Sequence, residues 1–154
     1  MVDHEILAAN ERYASSFDKG DLPRPPTRKL AVVTCMDARI DPLKVLGLAD
    51  GDANVIRNAG GIVTDDVFRS LVISHNLLGT EEVLVIGHTD CGSLSFTDAE
   101  LQEQLGTDIP LHSFPDLDRR VQESVRTVQE SNLLPDAVTG FVYDVATGRL
   151  RQVT

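Results

Sequence analysis

The sequence predicts an α/β fold: a single domain built on a mostly parallel β-sheet, flanked by helices, with an antiparallel strand on one edge. Three observations lead there. Leu30-Ala31-Val32-Val33-Thr34 and Val83-Leu84-Val85-Ile86-Gly87 are short, continuous, β-branched runs with no polar alternation, the pattern of strands buried on both faces. The stretch between them reads strand, helix, strand, which demands parallel pairing through right-handed crossovers. A length of 154 residues with 42% hydrophobic content suffices for one sizeable core.

The chain divides into an N-terminal helix and Pro-rich arm, 1–28, and an α/β core, 29–154. In the arm, Ile6, Leu7, Tyr13, Ala14 and Phe17 recur at roughly helical spacing and give residues 3–17 one apolar face. Gly20, Pro23, Pro25 and Pro26 make the connector stiff, and it is too short to separate two domains. The first core strand covers 30–35. Asp41 and Pro42 then start a short helix, as cap and first-turn proline, which ends near Gly47. Ala53 to Arg57 is the next strand.

Thr64 is placed to cap a stronger helix, with Asp65 and Asp66 in the first turn, where the helix dipole favours carboxylates. Val67, Phe68, Leu71, Val72 and Leu78 form its buried stripe, and Gly79 stops it. Residues 83–87 are the following strand. Thr97 and Glu100 make a capping box, with Phe96 and Leu101 as a hydrophobic staple, for a helix running to Leu105. Past a loop containing Gly106, Pro110 and Pro115, the spacing of Leu117, Val121, Val125 and Val128 predicts a helix over 116–130. Gly140 to Val145 reads as a strand, Thr147-Gly148 as a turn, and Arg149 to Val153 as the antiparallel return.

A formal charge of −10 argues against a nucleic-acid or anionic-membrane partner. No apolar stretch approaches ~18 residues, so no transmembrane helix is expected. Met1-Val2-Asp3-His4-Glu5 lacks the basic start and apolar core of a signal peptide. A reducing, cytoplasmic setting is therefore expected, where two thiols bind metal rather than pair.

Cys35 ends the first strand, and His88 and Cys91 end another. The carboxyl edge of an open α/β sheet is where ligands gather. Two thiols and an imidazole are the protein ligands of a catalytic zinc site whose fourth position is left to water, so one Zn²⁺ per chain is expected. Asp37, two residues after Cys35, is placed to accept a hydrogen bond from zinc-bound water. Arg39 can hold that carboxylate bidentately and keep it ionised. Asp90, between two ligands, is either a turn residue or one that orients a ligand. Gly60 and Gly61 permit close backbone approach and unusual φ angles. Val63 and Phe68 are candidates for lining a small, gas-sized pocket, with ordinary core as the alternative. His4, His75 and His112 have no ligand partner at suitable spacing.

Taken together, Cys35-x-Asp37-x-Arg39, Arg57-Asn58-Ala59-Gly60-Gly61 and His88-x-x-Cys91 resemble the motifs of the β-class carbonic anhydrases, over about Leu30 to Leu150. Met36 and Ala38 stand where many members have Ser. The resemblance implies reversible hydration of carbon dioxide to bicarbonate and a proton by zinc-bound hydroxide, with Gly60 and Gly61 next to the metal. It implies that Asp37 could itself bind zinc were its pair with Arg39 broken. It also implies a homodimer or higher even oligomer, the N-terminal helix lying on a second subunit. Carbonyl sulfide and carbon disulfide hydrolases share the fold and the three ligands and stand as an alternative. A non-catalytic zinc-binding or sensing protein is a further one, against which Asp37 and Arg39 speak, because a structural site needs neither.

Overall fold

The computed structural model describes residues 3–154; Met1 and Val2 of the arm lie outside them. Five strands form one sheet: β1 (Leu30–Cys35), β2 (Ala53–Asn58), β3 (Glu82–His88), β4 (Ala137–Tyr143) and β5 (Leu150–Gln152). Their lateral order is β2-β1-β3-β4-β5. The first four are parallel, and β5 returns antiparallel along β4. β1 and β3 lie at the centre, and every residue of β1 is buried, as its unbroken apolar run requires. From β1 the chain crosses to β2 on one side, and from β3 it crosses to β4 on the other. The point where the winding reverses therefore lies between the carboxyl ends of β1 and β3, where open α/β sheets bind ligands.

The helices are α1 (Asp3–Ala14), α2 (Pro42–Leu46), α3 (Asp65–Leu78), α4 (Asp98–Leu105) and α5 (Leu117–Gln129). α3 and α5 cover one face of the sheet, where Val67 and Leu71 of α3 and Val121, Val125 and Val128 of α5 close on Ala31, Val33, Val83 and Val85. The other face holds Leu30, Val32 and Ile86, and is covered more thinly by Leu46 and Leu48 in and after α2. Side chains alternate across a strand, so Val32 and Val33 serve opposite faces.

Local chemistry accounts for most element ends. Asp41 accepts from the Lys44 N–H at 3.3 Å, Pro42 opens α2, and Gly47 closes it at φ +65°. The capping box of α4 forms in both directions between Thr97 and Glu100. Two expectations are corrected. Thr64 occupies the N-cap position of α3, but its side chain makes no capping hydrogen bond. β4 runs from Ala137 to Tyr143 rather than from Gly140 to Val145, because it pairs residue for residue with β3, Glu82 opposite Ala137 and His88 opposite Tyr143. The return to β5 then begins at Asp144, whose carbonyl accepts the Gly148 N–H at 2.8 Å.

α1 buries no residue; Ile6, Leu7 and Tyr13 are exposed on it, as is Phe17 just beyond. Among the described residues, no helix is long and apolar enough to cross a membrane.

Candidate metal centre

Because β1 and β3 are adjacent and parallel, their carboxyl ends deliver Cys35 and His88 side by side. The chain leaves β3 through Asp90 at φ +54°, a left-handed turn that Asp tolerates better than most residues. That turn brings Cys91 back as the N-cap residue of a 3₁₀ turn, Gly92–Leu94. The ligand atoms of Cys35, His88 and Cys91 all lie within 4.8 Å of one another, and all three residues are buried. Donors around a tetrahedral ion at about 2.0–2.3 Å sit roughly 3.3–3.8 Å apart, so small side-chain adjustments complete the site.

The imidazole of His88 shows which of its atoms is free to bind a metal. Its Nδ1 is 2.9 Å from the Thr89 carbonyl, a contact that only a protonated Nδ1 makes. Nε2 then carries the lone pair, and it is buried without a hydrogen-bond partner. A buried, unpaired acceptor between two sulfurs is costly, and a cation there would satisfy it. Both cysteines are free thiols. The neighbouring Cys91 lowers the Cys35 pKa against the opposing effect of burial, while Cys35 and burial together raise that of Cys91. One thiolate is thus already favoured. Two sulfurs and an imidazole nitrogen fit a borderline transition-metal ion.

Asp37 Oδ2 lies 3.9 Å from His88 Nε2. Arg39 grips the carboxylate through Nη2 to Oδ2 at 2.7 Å, Nε to Oδ1 at 3.0 Å and its own backbone N–H to Oδ1 at 2.9 Å. These bonds hold the Asp37 carboxyl well below the usual carboxylate range. Arg39 also donates to Asp90 Oδ2 at 2.8 Å and to the Asp90 carbonyl at 3.1 Å. Arg57 secures the same loop from the side, donating to the Cys35 carbonyl at 2.9 Å and the Asp37 carbonyl at 2.7 Å.

The glycines after β2 do different things. Gly61, at φ +62°, crosses the end of β1; a Cβ there would stand 2.6 Å from Cys35 N and 2.8 Å from Thr34 C. Gly60, at φ +84°, borders a cavity of about 470 Å³ that Cys35, Asp37, Cys91, Phe96 and Leu111 also line. Val63 and Phe68 are not on that lining. They pack, partly buried, against the α3 and α5 side of the sheet. The Val63 N–H donates to Ser124 Oγ on α5 at 3.2 Å, which directs this segment away from the cavity.

The grip of Arg57 on the β1 loop, the tie from Arg39 to Asp90 and the cavity residues Phe96 and Leu111 have no individual signal in the sequence. Nor does Phe114, which is 6% exposed and packed against Cys35 and Cys91. The nearest hint is Leu111 and Phe114 themselves, apolar side chains in a Pro-containing loop that needs none.

A carbonic anhydrase family model matches residues 30–134. Beta-carbonic anhydrase 1 of Mycobacterium tuberculosis is 45% identical over 99% of this chain and 98% of its own. A carbon disulfide hydrolase of an Acidianus species is 36% identical over 98% of this chain and 88% of its own. The crystal structure of a carbonic anhydrase from Streptococcus mutans superposes with a TM-score of 0.91 at 42% identity, covering both chains in full. Motifs, sheet order and these likenesses agree: the chain belongs to the carbonic anhydrase family, as a β-class member.

Proposed function

We propose that this chain is a zinc enzyme that hydrates carbon dioxide reversibly to bicarbonate and a proton. One arrangement carries the reading: three buried ligand atoms with, 3.9 Å from one of them, a carboxylate held ionised by an arginine. Cys35 Sγ, His88 Nε2 and Cys91 Sγ would hold one zinc ion per chain. Zinc bound there supplies a Lewis acid and an acidified water. Two thiolates offset the charge of the ion, so the site needs a nearby anion that accepts a hydrogen bond from that water and favours its hydroxide, and Asp37 Oδ2 is in place for it. Arg39 occupies both carboxylate oxygens and thereby keeps Asp37 from joining the ligands. Phe96 and Leu111 offer an apolar wall to a neutral, linear substrate, and Gly60 lets the backbone border the same space.

Hydrolysis of carbonyl sulfide or carbon disulfide is the second reading, supported by the likeness to carbon disulfide hydrolases. Rates for CO₂ hydration and for COS and CS₂ hydrolysis, measured on zinc-loaded wild type and Asp37→Asn, separate the two. CO₂ hydration should dominate and should fall by ~10²-fold or more in the variant, the range for loss of a general base. Turnover of CS₂ without CO₂ would favour the second reading. Inactivity on all three, with zinc retained, would favour a non-catalytic zinc protein.

The same reading includes assembly as a homodimer or a higher even oligomer. A parallel sheet needs cover on both faces, yet Val55, Leu84 and Phe141 remain only partly buried on the face opposite α3 and α5. α1 has an apolar face and no cover of its own. The arm, 1–28, is thus suited to lie across a second copy while 29–154 carries the site. A reducing, cytoplasmic setting suits two thiols kept free as ligands.

A further inference from the structure

Helix α4 buries none of its residues, so it adds nothing to the sheet core. What it carries is a loop. Asp98, in its first turn, accepts the backbone N–H groups of Leu111 at 3.0 Å, His112 at 2.9 Å and Ser113 at 2.7 Å. The Asp98 N–H donates in return to Ser113 Oγ at 3.0 Å. One turn on, Gln102 donates to the Ile109 carbonyl at 2.8 Å. Residues 109–113 are therefore tied to α4 by side chains.

Within this segment His112 holds φ at +58°, a conformation a non-glycine residue keeps only where its surroundings over-determine it. The Phe114 N–H then donates to the Ser93 carbonyl at 3.2 Å, and its ring is buried in the cluster that contains Cys35 and Cys91. Leu111 lines the cavity beside Phe96. The hydrogen bonds from Ser113, His112 and Leu111 hold the Asp98 carboxyl at about 2, so it is ionised wherever the protein works.

We infer that Asp98 is a positioning residue: it holds residues 111–113 so that Leu111 stays on the apolar wall of the cavity beside Cys35 and Cys91, and that wall binds the neutral substrate. The inference rests on the proposed reading of the cavity. An apolar wall acts on substrate and transition state alike, so loosening it raises KM and spares kcat. A role in folding alone would lower the active fraction, and hence apparent kcat, at constant KM.

The test uses full-length, zinc-loaded Asp98→Ala and Asp98→Asn, with Leu111→Ala as a variant that leaves Asp98 in place. Amide hydrogen exchange at Leu111, His112 and Ser113 should accelerate at least about tenfold in Asp98→Ala, which removes a charged acceptor from three donors. Asp98→Asn should recover part of the protection, because its amide oxygen still accepts. KM for CO₂ should rise about three- to tenfold in Asp98→Ala and in Leu111→Ala, with kcat within about twofold. Unchanged exchange in Asp98→Ala overturns the inference, as does faster exchange with unchanged KM. Should Asp98→Ala fail to fold, a Leu111→Ala enzyme with lowered kcat and constant KM overturns it equally. A wild type that turns over neither CO₂ nor CS₂ defeats the functional reading separately, and the exchange rates still decide whether Asp98 holds the segment.

Discussion

Arg39 reaches from the loop after β1 to the loop after β3 and donates to Asp90 Oδ2 at 2.8 Å, 51 residues away in sequence. The same guanidinium holds Asp37. One side chain therefore sets the carboxylate beside His88 and ties together the two loops that bear the candidate ligands.

The two contacts of Arg39 should separate by mutation. Asp90→Gly removes the exposed carboxylate, keeps the carbonyl contact and relieves the left-handed backbone, so its stability should stay within about 1 kcal/mol of wild type, as for an exposed ion pair. Arg39→Ala frees Asp37 and should cost ~10²-fold in turnover, a loss of the size expected for a disabled general base. Adding Asp37→Asn to Arg39→Ala should make it little worse than the worse single variant, because the residues act as a unit. Turnover, zinc occupancy and melting temperature on the same samples check this. Equal losses in Asp90→Gly and Arg39→Ala would mean that the bridge, not the Asp37 pair, is what Arg39 serves.

Removing any one ligand should empty the site. Cys35→Ser, His88→Ala and Cys91→Ser are each expected to weaken zinc binding by more than ~10²-fold, beyond what losing a group that only supports a ligand costs. Metal analysis after dialysis reads this directly. Full zinc retention in one variant would take that residue out of the site.

Gly61→Ala should be destabilising far beyond its size. The new methyl would meet backbone 2.6 Å away at Cys35 N, and the residue sits at φ +62°. Left-handed strain and overpacking together give about 3 kcal/mol. The urea midpoint should fall accordingly, and zinc affinity with it, since the atom displaced belongs to a ligand residue. A midpoint equal to wild type would show that the loop does not rest on the end of β1.

Acid should release the Asp98 loop. Its carboxyl is lowered in the folded chain from 3.8 to about 2. A depressed carboxyl stabilises the fold above its unfolded pKa, and that contribution is lost as pH falls through the folded value. The stability gap between wild type and Asp98→Asn should therefore be full at pH 7 and shrink between about pH 4 and pH 2. Urea midpoints across that window measure it. A gap that does not vary with pH would mean that the charge of Asp98 is not what holds the loop.

In solution at micromolar concentration the protein should sediment as a dimer or a multiple of one, and removal of residues 1–20 should weaken the association. A monomeric mass for the intact chain would refute the role given to α1.

Sequence alone determined the parallel sheet, the three residues Cys35, His88 and Cys91 that meet in one buried cluster, and most helix ends. Each rests on local physics: an apolar run long enough for one strand, or a cap such as Asp41 or Thr97 that acts within a single turn. Tertiary structure decided what depends on partners far along the chain. Pairing with β3 set where β4 begins. A hydrogen bond to Ser124 turned Val63 toward α5 and away from the cavity. Arg39 found Asp90, and Asp98 found three amides beyond its own helix, through contacts with no fixed spacing in sequence. Strand neighbours and loop anchors are chosen by which surfaces meet after folding, and that information is spread over the whole chain rather than written beside the residues that use it.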